Sequence, residues 1–556
     1  MKIGKLGILF FIFFSLFLSC KTDKTVQEKE SPRIINIVNF IRQTDYRVEN
    51  ADSLLFHAVE KQIELSNNYN FPTTFLFQYD ALINPKYQEL MKTKLNQESE
   101  LGAWWEITQP HVEAAGIPWR GEHSWVSTAN IAFTPGYTQA EREKLVDVYM
   151  QKFKNIYGKY PKSVGSWFID SHTLQYMYDH YGIVASSNCK DQVGTDGYTL
   201  WGGYWNQGYY PSKNNAYMPA QTENNQIPVP IFRMLGSDPM YQYDAGVGTK
   251  YQGVISLEPV YPESGKNKAW VEYFLESIVN QPSLAFNYAQ AGQENSFTWA
   301  EMVEGLEMQF PILDSLREAG KIRIETMEST GKWFKENFSL TPATAITTLG
   351  DIRGLGNQSV WYNSRYYRAN LFWEKDGFCF RDIHLFDEDL KSTYLEVPGQ
   401  GNQFFYYTLP VIDRFHWSTT EDKIGLRLVQ LKQQGKSSEI ILSQPSVTEP
   451  SKSTLKIENT STTSGDFVIE LQEDQIMVTS QNSISGWALE LRVPKDRLNS
   501  LPFKIYSESE IQAEFAEHRY RIICKEGKVE QANNDGYVFR LIPSSKGKVI
   551  IDCAKR

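Results

Sequence analysis

Apolar and polar positions divide the chain into two textures. Between residues 33 and 335, short apolar runs alternate with stretches of helical period. The runs are Ile34–Phe40, Thr74–Tyr79, Leu101–Ile107, Ser163–Ile169, Ile183–Asn188, Val229–Leu235 and Leu284–Tyr288. Most are nearly continuous, as in parallel strands covered on both faces. The strongest helical pattern spans 139–157. There Leu145, Val148, Tyr149, Phe153 and Ile156 share one face, Thr138 and Glu141 form a capping box, and Gly158 is the stop. A second helix, 173–181, ends at Gly182. Repeated βα units of this kind close into a barrel or wind into an open sheet, and seven or eight strands favour the barrel.

From Ile346 onward the period changes to two. Short alternating strands are predicted at 359–362, 366–372, 377–382, 403–408, 423–431, 467–471, 475–479 and 488–493. Residues 446–465, rich in Ser and Thr, read as an exposed insertion. The predicted architecture is therefore α/β: a seven-stranded (β/α) barrel over 33–340, then an antiparallel β-sandwich-like domain over 341–556.

The first twenty residues stand apart. Lys2 and Lys5 precede a largely apolar run from Ile8 to Leu18, too short for a comfortable membrane span. The run ends Leu16-Phe17-Leu18-Ser19-Cys20, which resembles a bacterial lipoprotein signal. That resemblance implies cleavage before Cys20, its lipidation with palmitate, and attachment to the cell envelope, at the outer membrane or cell surface. Residues 21–32 would be a flexible tether.

Composition narrows the partners. The 556-residue chain carries a formal charge of -10, which disfavours nonspecific nucleic-acid binding. Removal of Lys2 and Lys5 takes that charge to -12. With Cys20 assigned to a lipid, four cysteines remain and none has metal-type C-x-x-C spacing. Cys524 and Cys553, in the last two strand-like stretches, are a possible disulfide pair. Aromatic residues make up 14%, and ten of the 14 Trp fall between Trp104 and Trp333.

The candidate chemistry lies at strand ends, where barrel sites assemble. Arg42 and Asp45 follow the first strand, Asp80 the second, Trp105 and Glu106 the third, and Trp167, Asp170 and His172 the fourth. Gln293 and Glu294 follow the last. The uncharged segment 198–210, with Trp201 and Tyr204, offers flat faces for sugar rings. Paired carboxylates with aromatic neighbours point to cleavage of a glycosidic bond in a poly- or oligosaccharide.

The stretch Val164-Gly165-Ser166-Trp167-Phe168-Ile169-Asp170 is similar to the G-x-x-x-I-D region of the family 38 α-mannosidases. The order of barrel and β region resembles the glycoside hydrolase 38/57 superfamily and the related polysaccharide deacetylases. The resemblance implies a retaining glycosidase with Asp170 as nucleophile. It implies Glu294 as acid/base, with Glu258 (in Ser256-Leu257-Glu258-Pro259) as rival. Asp80, Glu106, His172, Trp105, Trp167, Trp201, Tyr204 and Gln293 would contact substrate or tune the carboxylates. The first strand ends Asn39-Phe40-Ile41-Arg42, without the mannosidase His-x-Asp, and the deacetylases' paired Asp and His-x-x-x-His are missing. No metal or cofactor is therefore expected. The alternatives are a metal-dependent carbohydrate deacetylase on the same barrel and a non-catalytic glycan-binding lipoprotein.

Overall fold

The computed structural model describes residues 31–375, 377–461, 465–481, 486–534 and 536–554. The leader and Cys20 lie outside them. No helix among the described residues is long and apolar enough to cross a membrane.

Each of the seven runs contains or overlaps a parallel strand, the last one displaced three residues towards the C-terminus. The first, Arg33–Ile41, is buried at every position after Arg33. It pairs with the second, Thr73–Phe77, and with the seventh, Asn287–Ala291. From the second strand the sheet continues through Glu100–Trp104, Ser163–Gly165, Ala185–Asn188 and Ile231–Arg233. The expected seven-stranded closure is modified at two places. Gly208–Tyr209 adds antiparallel to the sixth strand, and Arg323–Glu325 adds to the N-terminal half of the first. The result is a nine-stranded, nearly closed sheet. Between its edges, Gln207 Nε2 donates to Asn287 Oδ1 at 2.8 Å, and the rings of Phe232 and Tyr288 lie 4.9 Å apart. A side chain and a ring pair thus bridge a gap that no backbone ladder spans.

Helix Gln139–Tyr157 has the predicted capping box, and Gly158 ends it in the left-handed region. Helix Ser171–Tyr181 is capped by the side chain of Asp170, which accepts from Thr173 N–H.

The β-rich half contains a ten-stranded and an eight-stranded antiparallel sheet. They pack together through Phe467 on Trp487 (5.4 Å), Trp373 Nε1 on Asn459 Oδ1 (2.9 Å) and Tyr367 OH on Gln472 O (2.8 Å). The expected exposed insertion is a hairpin of this second sheet, Ser446–Ser451 with Thr454–Asn459, exposed along its first strand and half-buried along its second. Leu455 and Ile457 are fully buried, and Glu449 accepts from the N–H groups of Ser283 and Leu284 beneath the barrel. The Ser/Thr-rich composition masked this period-two burial. Cys524 and Cys553 are both free thiols.

The aromatic segment 198–210 also differs from expectation. Trp201, Tyr204, Trp205, Tyr209 and Tyr210 are all buried. Trp205 stacks on Trp361 at 3.8 Å, and Trp201 packs on Tyr243 and Phe415. Strand Tyr198–Trp201 pairs with Gln192–Thr195 on one side and with Phe404–Tyr407 of the β-rich half on the other. Trp201, Tyr204 and Trp205 pack in the core between the two halves, so Trp201 and Tyr204 do not face a ligand.

Buried ion pairs reinforce the junction. Asp191, after the fifth strand, accepts from Tyr217, Arg233 and Arg368, and Arg368 also holds Asp382 through two bonds. Asp413 accepts from Trp201 Nε1 at 3.0 Å and His416 Nδ1 at 2.7 Å. Burial works against the charged form of His416, but Asp413 outweighs it and raises the pKa. The contribution of this pair is therefore full below the unfolded histidine value, about 6.5, and is lost as pH rises through the folded value. Melting curves of the wild type and His416→Gln should differ most near pH 6 and draw together as the pH is raised towards 9. Equal separation at both pH values would exclude an ionic role for His416.

Candidate active site

A cavity of about 310 Å³ opens where the parallel strands end, and its lining includes Arg42, Glu106, Trp125, Trp167, Glu258 and Glu294. Its geometry is set at the seventh strand. Gly292 has φ 97°, and a Cβ there would lie 2.3 Å from the carbonyl oxygen of Val38. Only glycine lets the chain cross the first strand so closely. The crossing delivers Gln293, Glu294 and Asn295. Gln293 N–H donates to Asn39 Oδ1 at 3.1 Å. Asn295 accepts from Arg42 N–H and donates to Arg42 O, both at 2.9 Å, which fixes the backbone of Arg42.

The Arg42 guanidinium is the hub. Nε and Nη2 donate to the two oxygens of Glu106 at 2.9 and 2.7 Å. Nη1 reaches Glu294 at 2.8 Å and Asp45 at 3.7 Å. Glu106 also accepts from Gln78 (3.0 Å) and Trp167 (2.7 Å). Trp125 lies under the guanidinium of Arg42 at 4.3 Å and under that of Arg47 at 5.0 Å. Leu235, on the cavity wall, has φ 72°, a strained value for a leucine.

Two carboxyls here are perturbed upward. Burial pushes Glu294 up to about 7; Arg42 opposes the shift and Glu106 adds to it. Burial also raises Glu258, against the Ser256 hydrogen bond and the Lys190 charge. Gln293 connects the pair: Oε1 accepts from Glu294 N–H at 2.9 Å, and Nε2 donates to Glu258 at 3.4 Å. Asp45 shifts down, because Arg47 and Arg42 outweigh its burial. Clefted carboxyls with raised pKa values are the usual mark of acid–base chemistry.

Of the residues singled out in the sequence, Glu106, Trp167, Glu258 and Glu294 line the cavity, with Gln293 between the last two. The others lie elsewhere. Asp170 Oδ1 accepts from Arg142 (3.0 Å) and Thr173 N–H (2.9 Å), and Oδ2 from Thr134 (2.6 Å) and Thr173 Oγ1 (2.7 Å). Every lone-pair direction of a buried carboxylate is engaged, and the residue does not border the cavity. Asp80 is buried, with its pKa raised to about 7 chiefly by burial. Trp105 packs among His111 and Tyr149, and His172 pairs with Glu143 at 3.0 Å. Trp201 and Tyr204 belong to the inter-half core. Arg42 and Asp45 were legible as strand-end residues but not as the hub, and Arg47, Trp125 and Tyr261 gave no sequence signal.

A metal does not fit this donor set. Among the described residues no group of three or more His, Cys, Asp or Glu side chains is arranged to hold one. The cavity carboxylates Glu106, Glu294 and Asp45 already converge on a guanidinium, and no histidine lines the wall.

No family model matches the sequence, and no curated protein matches it. Solved structures do. A candidate glycoside hydrolase/deacetylase from Parabacteroides distasonis is similar at 13% identity and TM-score 0.48, over 68% of this chain and 90% of that one. A candidate polysaccharide deacetylase from Mycobacterium smegmatis is similar at 9% identity and TM-score 0.35, over 56% and 92%. A GH57 branching enzyme from Thermococcus kodakaraensis is similar at 9% identity and TM-score 0.28, over 55% and 71%.

The contacts of Asp170 give it a structural signature. Asp170→Asn should lower unfolding free energy by about 3 kcal/mol or more, because Arg142 is left buried without its counter-charge. Turnover per folded molecule should stay within about tenfold, far from the loss expected of a nucleophile. Denaturant melts paired with active-site titration separate the two effects.

Proposed function

We propose that this chain is a carbohydrate-acting enzyme that hydrolyses a glycosidic bond between Glu294 and Glu258. The observation that carries this reading is the pair itself: two buried carboxyls lining one cavity, both with raised pKa values, with Gln293 set between the Glu258 carboxyl and the backbone of Glu294.

Glu294 is the proton donor. A pKa near 7 leaves about half of it protonated at neutrality and most of it below, and Arg42 stands ready to stabilise the carboxylate that forms when the proton leaves. Glu258 is the second carboxylate of the same cavity. Its hydrogen bonds come from Ser256 Oγ (2.7 Å) and Gln293, so no guanidinium ties it down. Glu106, gripped by four N–H groups, positions Arg42 and Trp167. Trp125, Trp167, Tyr198 and Tyr261 supply aromatic surface around the sugar. The lining holds five carboxylates (Asp45, Glu106, Asp196, Glu258, Glu294) against Arg42 and Arg47. That balance suits a neutral sugar and opposes a uronate. A metal-dependent deacetylase would need ligands that this wall does not offer.

Glu294→Gln should reduce kcat/KM by about 10²–10⁴-fold, the usual worth of a general acid. In the wild type, kcat/KM should fall as pH rises through about 7, where Glu294 loses its proton, and the variant should lack that alkaline limb. A variant with wild-type rates and an unchanged profile sinks the assignment. The anomer formed first, read by NMR, then separates Glu258 as nucleophile (retention) from Glu258 as base (inversion).

We further propose that the chain is held at the cell envelope, at the outer membrane or cell surface, by acylation of Cys20, with residues 21–32 as tether. Cys20→Ala should abolish palmitate labelling and release the protein from membranes, with activity unchanged. Labelling that survives the substitution rules the anchor out.

A further inference from the structure

Strand Phe404–Tyr407 has two unlike faces, as a period-two element must. Phe404 and Tyr406 turn inward against Phe168, at 6.1 and 5.3 Å. Phe405 and Tyr407 turn the other way. Their rings lie 6.0 Å apart and within 7° of parallel, and Phe405 is 44% exposed. The platform is built on fixed backbone. Phe405 and Tyr407 sit opposite Thr199 and Trp201 in a parallel ladder. Phe405 N–H donates to Tyr394 OH at 3.1 Å, and Tyr407 abuts Phe515 edge-on at 5.8 Å. A groove of about 430 Å³ runs along these rings, and Asn215, Ser392 and Thr393 supply hydrogen-bonding groups at its rim.

We propose that Phe405 and Tyr407 form a second glycan-binding surface, distinct from the catalytic cavity, on which neighbouring rings of a neutral, linear polysaccharide stack. The choice of ligand rests in part on the carbohydrate reading of the cavity and in part on the platform itself. Two parallel aromatic faces, spaced comparably to the advance between sugar rings along a chain, match the C–H faces of consecutive sugars. The rim offers amide and hydroxyl groups for sugar hydroxyls. Its lysine, Lys391, is already paired with Glu396 at 3.1 Å. An anionic glycan or a nucleic acid finds no free positive charge there, and the chain as a whole carries -10. A stable protein partner needs about 800 Å² per side, of which two rings supply only a part.

The test is affinity electrophoresis of the full chain in gels containing, in turn, a soluble β-glucan, starch, xylan or galactomannan. At least one should retard the wild type. Phe405→Ala/Tyr407→Ala should weaken that retardation by ~5-fold or more, consistent with the loss of two stacking faces. Phe405→Trp should preserve it and so control for misfolding. The double variant should keep wild-type kcat/KM on a short oligosaccharide, since neither ring borders the cavity. Glu294→Gln should keep full retardation while losing hydrolysis, so failure of the catalytic reading and failure of the platform are told apart. Absence of retardation in all four gels, or equal retardation of wild type and double variant, overturns the proposal. So does concentration-dependent dimerisation that the double variant abolishes without any polysaccharide effect, which would make the face a contact between copies.

Discussion

A single buried guanidinium makes the cavity possible. Carboxylates removed from water are costly unless each finds a counter-charge or several donors. Arg42 serves three of them at once because its donors are fixed in a planar fork. Two N–H groups close on Glu106, and the remaining edge faces Glu294 and Asp45. A lysine, with one compact charge, could not span the set. The hub also registers two distant segments. Asn295 clamps the backbone of Arg42 while Glu294 holds its side chain, so the loop after the seventh strand is keyed to the end of the first. The pKa of Glu294 follows from this balance. Burial and the Glu106 charge push it up, Arg42 pulls it down, and the result falls near neutrality.

The second dependency is the union of the two halves. The barrel is not closed by its own ladder, and the loop after its fifth strand is anchored by residues from far along the chain. Asp191 is shared between Arg233 of the sixth strand and Arg368 of the β-rich half. Strand Tyr198–Trp201, flanked by Gln192–Thr195 and Phe404–Tyr407, carries Tyr198 of the cavity wall, and Gln192 and Thr195 lie beside it. The β-rich half therefore completes the sheet that bounds the site, and it is more than a support packed against a finished barrel.

What could be read from the sequence follows from the range of the forces involved. Strand and helix identities are local. Continuous apolar runs located seven of the eight parallel strands, missing the short Arg323–Glu325, and the Thr138–Glu141 box with Gly158 located one helix to the residue. Glu106 and Glu294 were legible as strand-end carboxylates, because barrel topology collects such ends at one face, whereas Glu258 entered only as a rival acid under the family resemblance. Asp170 was misleading because a cap and a nucleophile can occupy the same position after a strand. Its partner Arg142 lies on another helix, and only the fold shows that its oxygens are fully engaged. The aromatic segment was misleading for the same reason. Trp205 is hidden by Trp361 and Trp201 by Phe415, partners more than 150 residues away. Composition alone cannot distinguish a ring that meets a sugar from one that meets another domain.

The three-stranded sheet joins these themes, because its faces do opposite work. Tyr198 on one face borders the cavity, and on the other the exposed Phe405 and the partly buried Tyr407 line the groove. The groove and the cavity share no lining residue. On the proposed reading, the platform would act through effective concentration, with a chain held there presenting its neighbouring segments to the cavity. Such a gain grows with polymer length and vanishes for a substrate too short to reach both faces. On that reading the stacked rings would bear on which substrates the protein meets, and the Arg42 hub on what happens to a bond once it arrives.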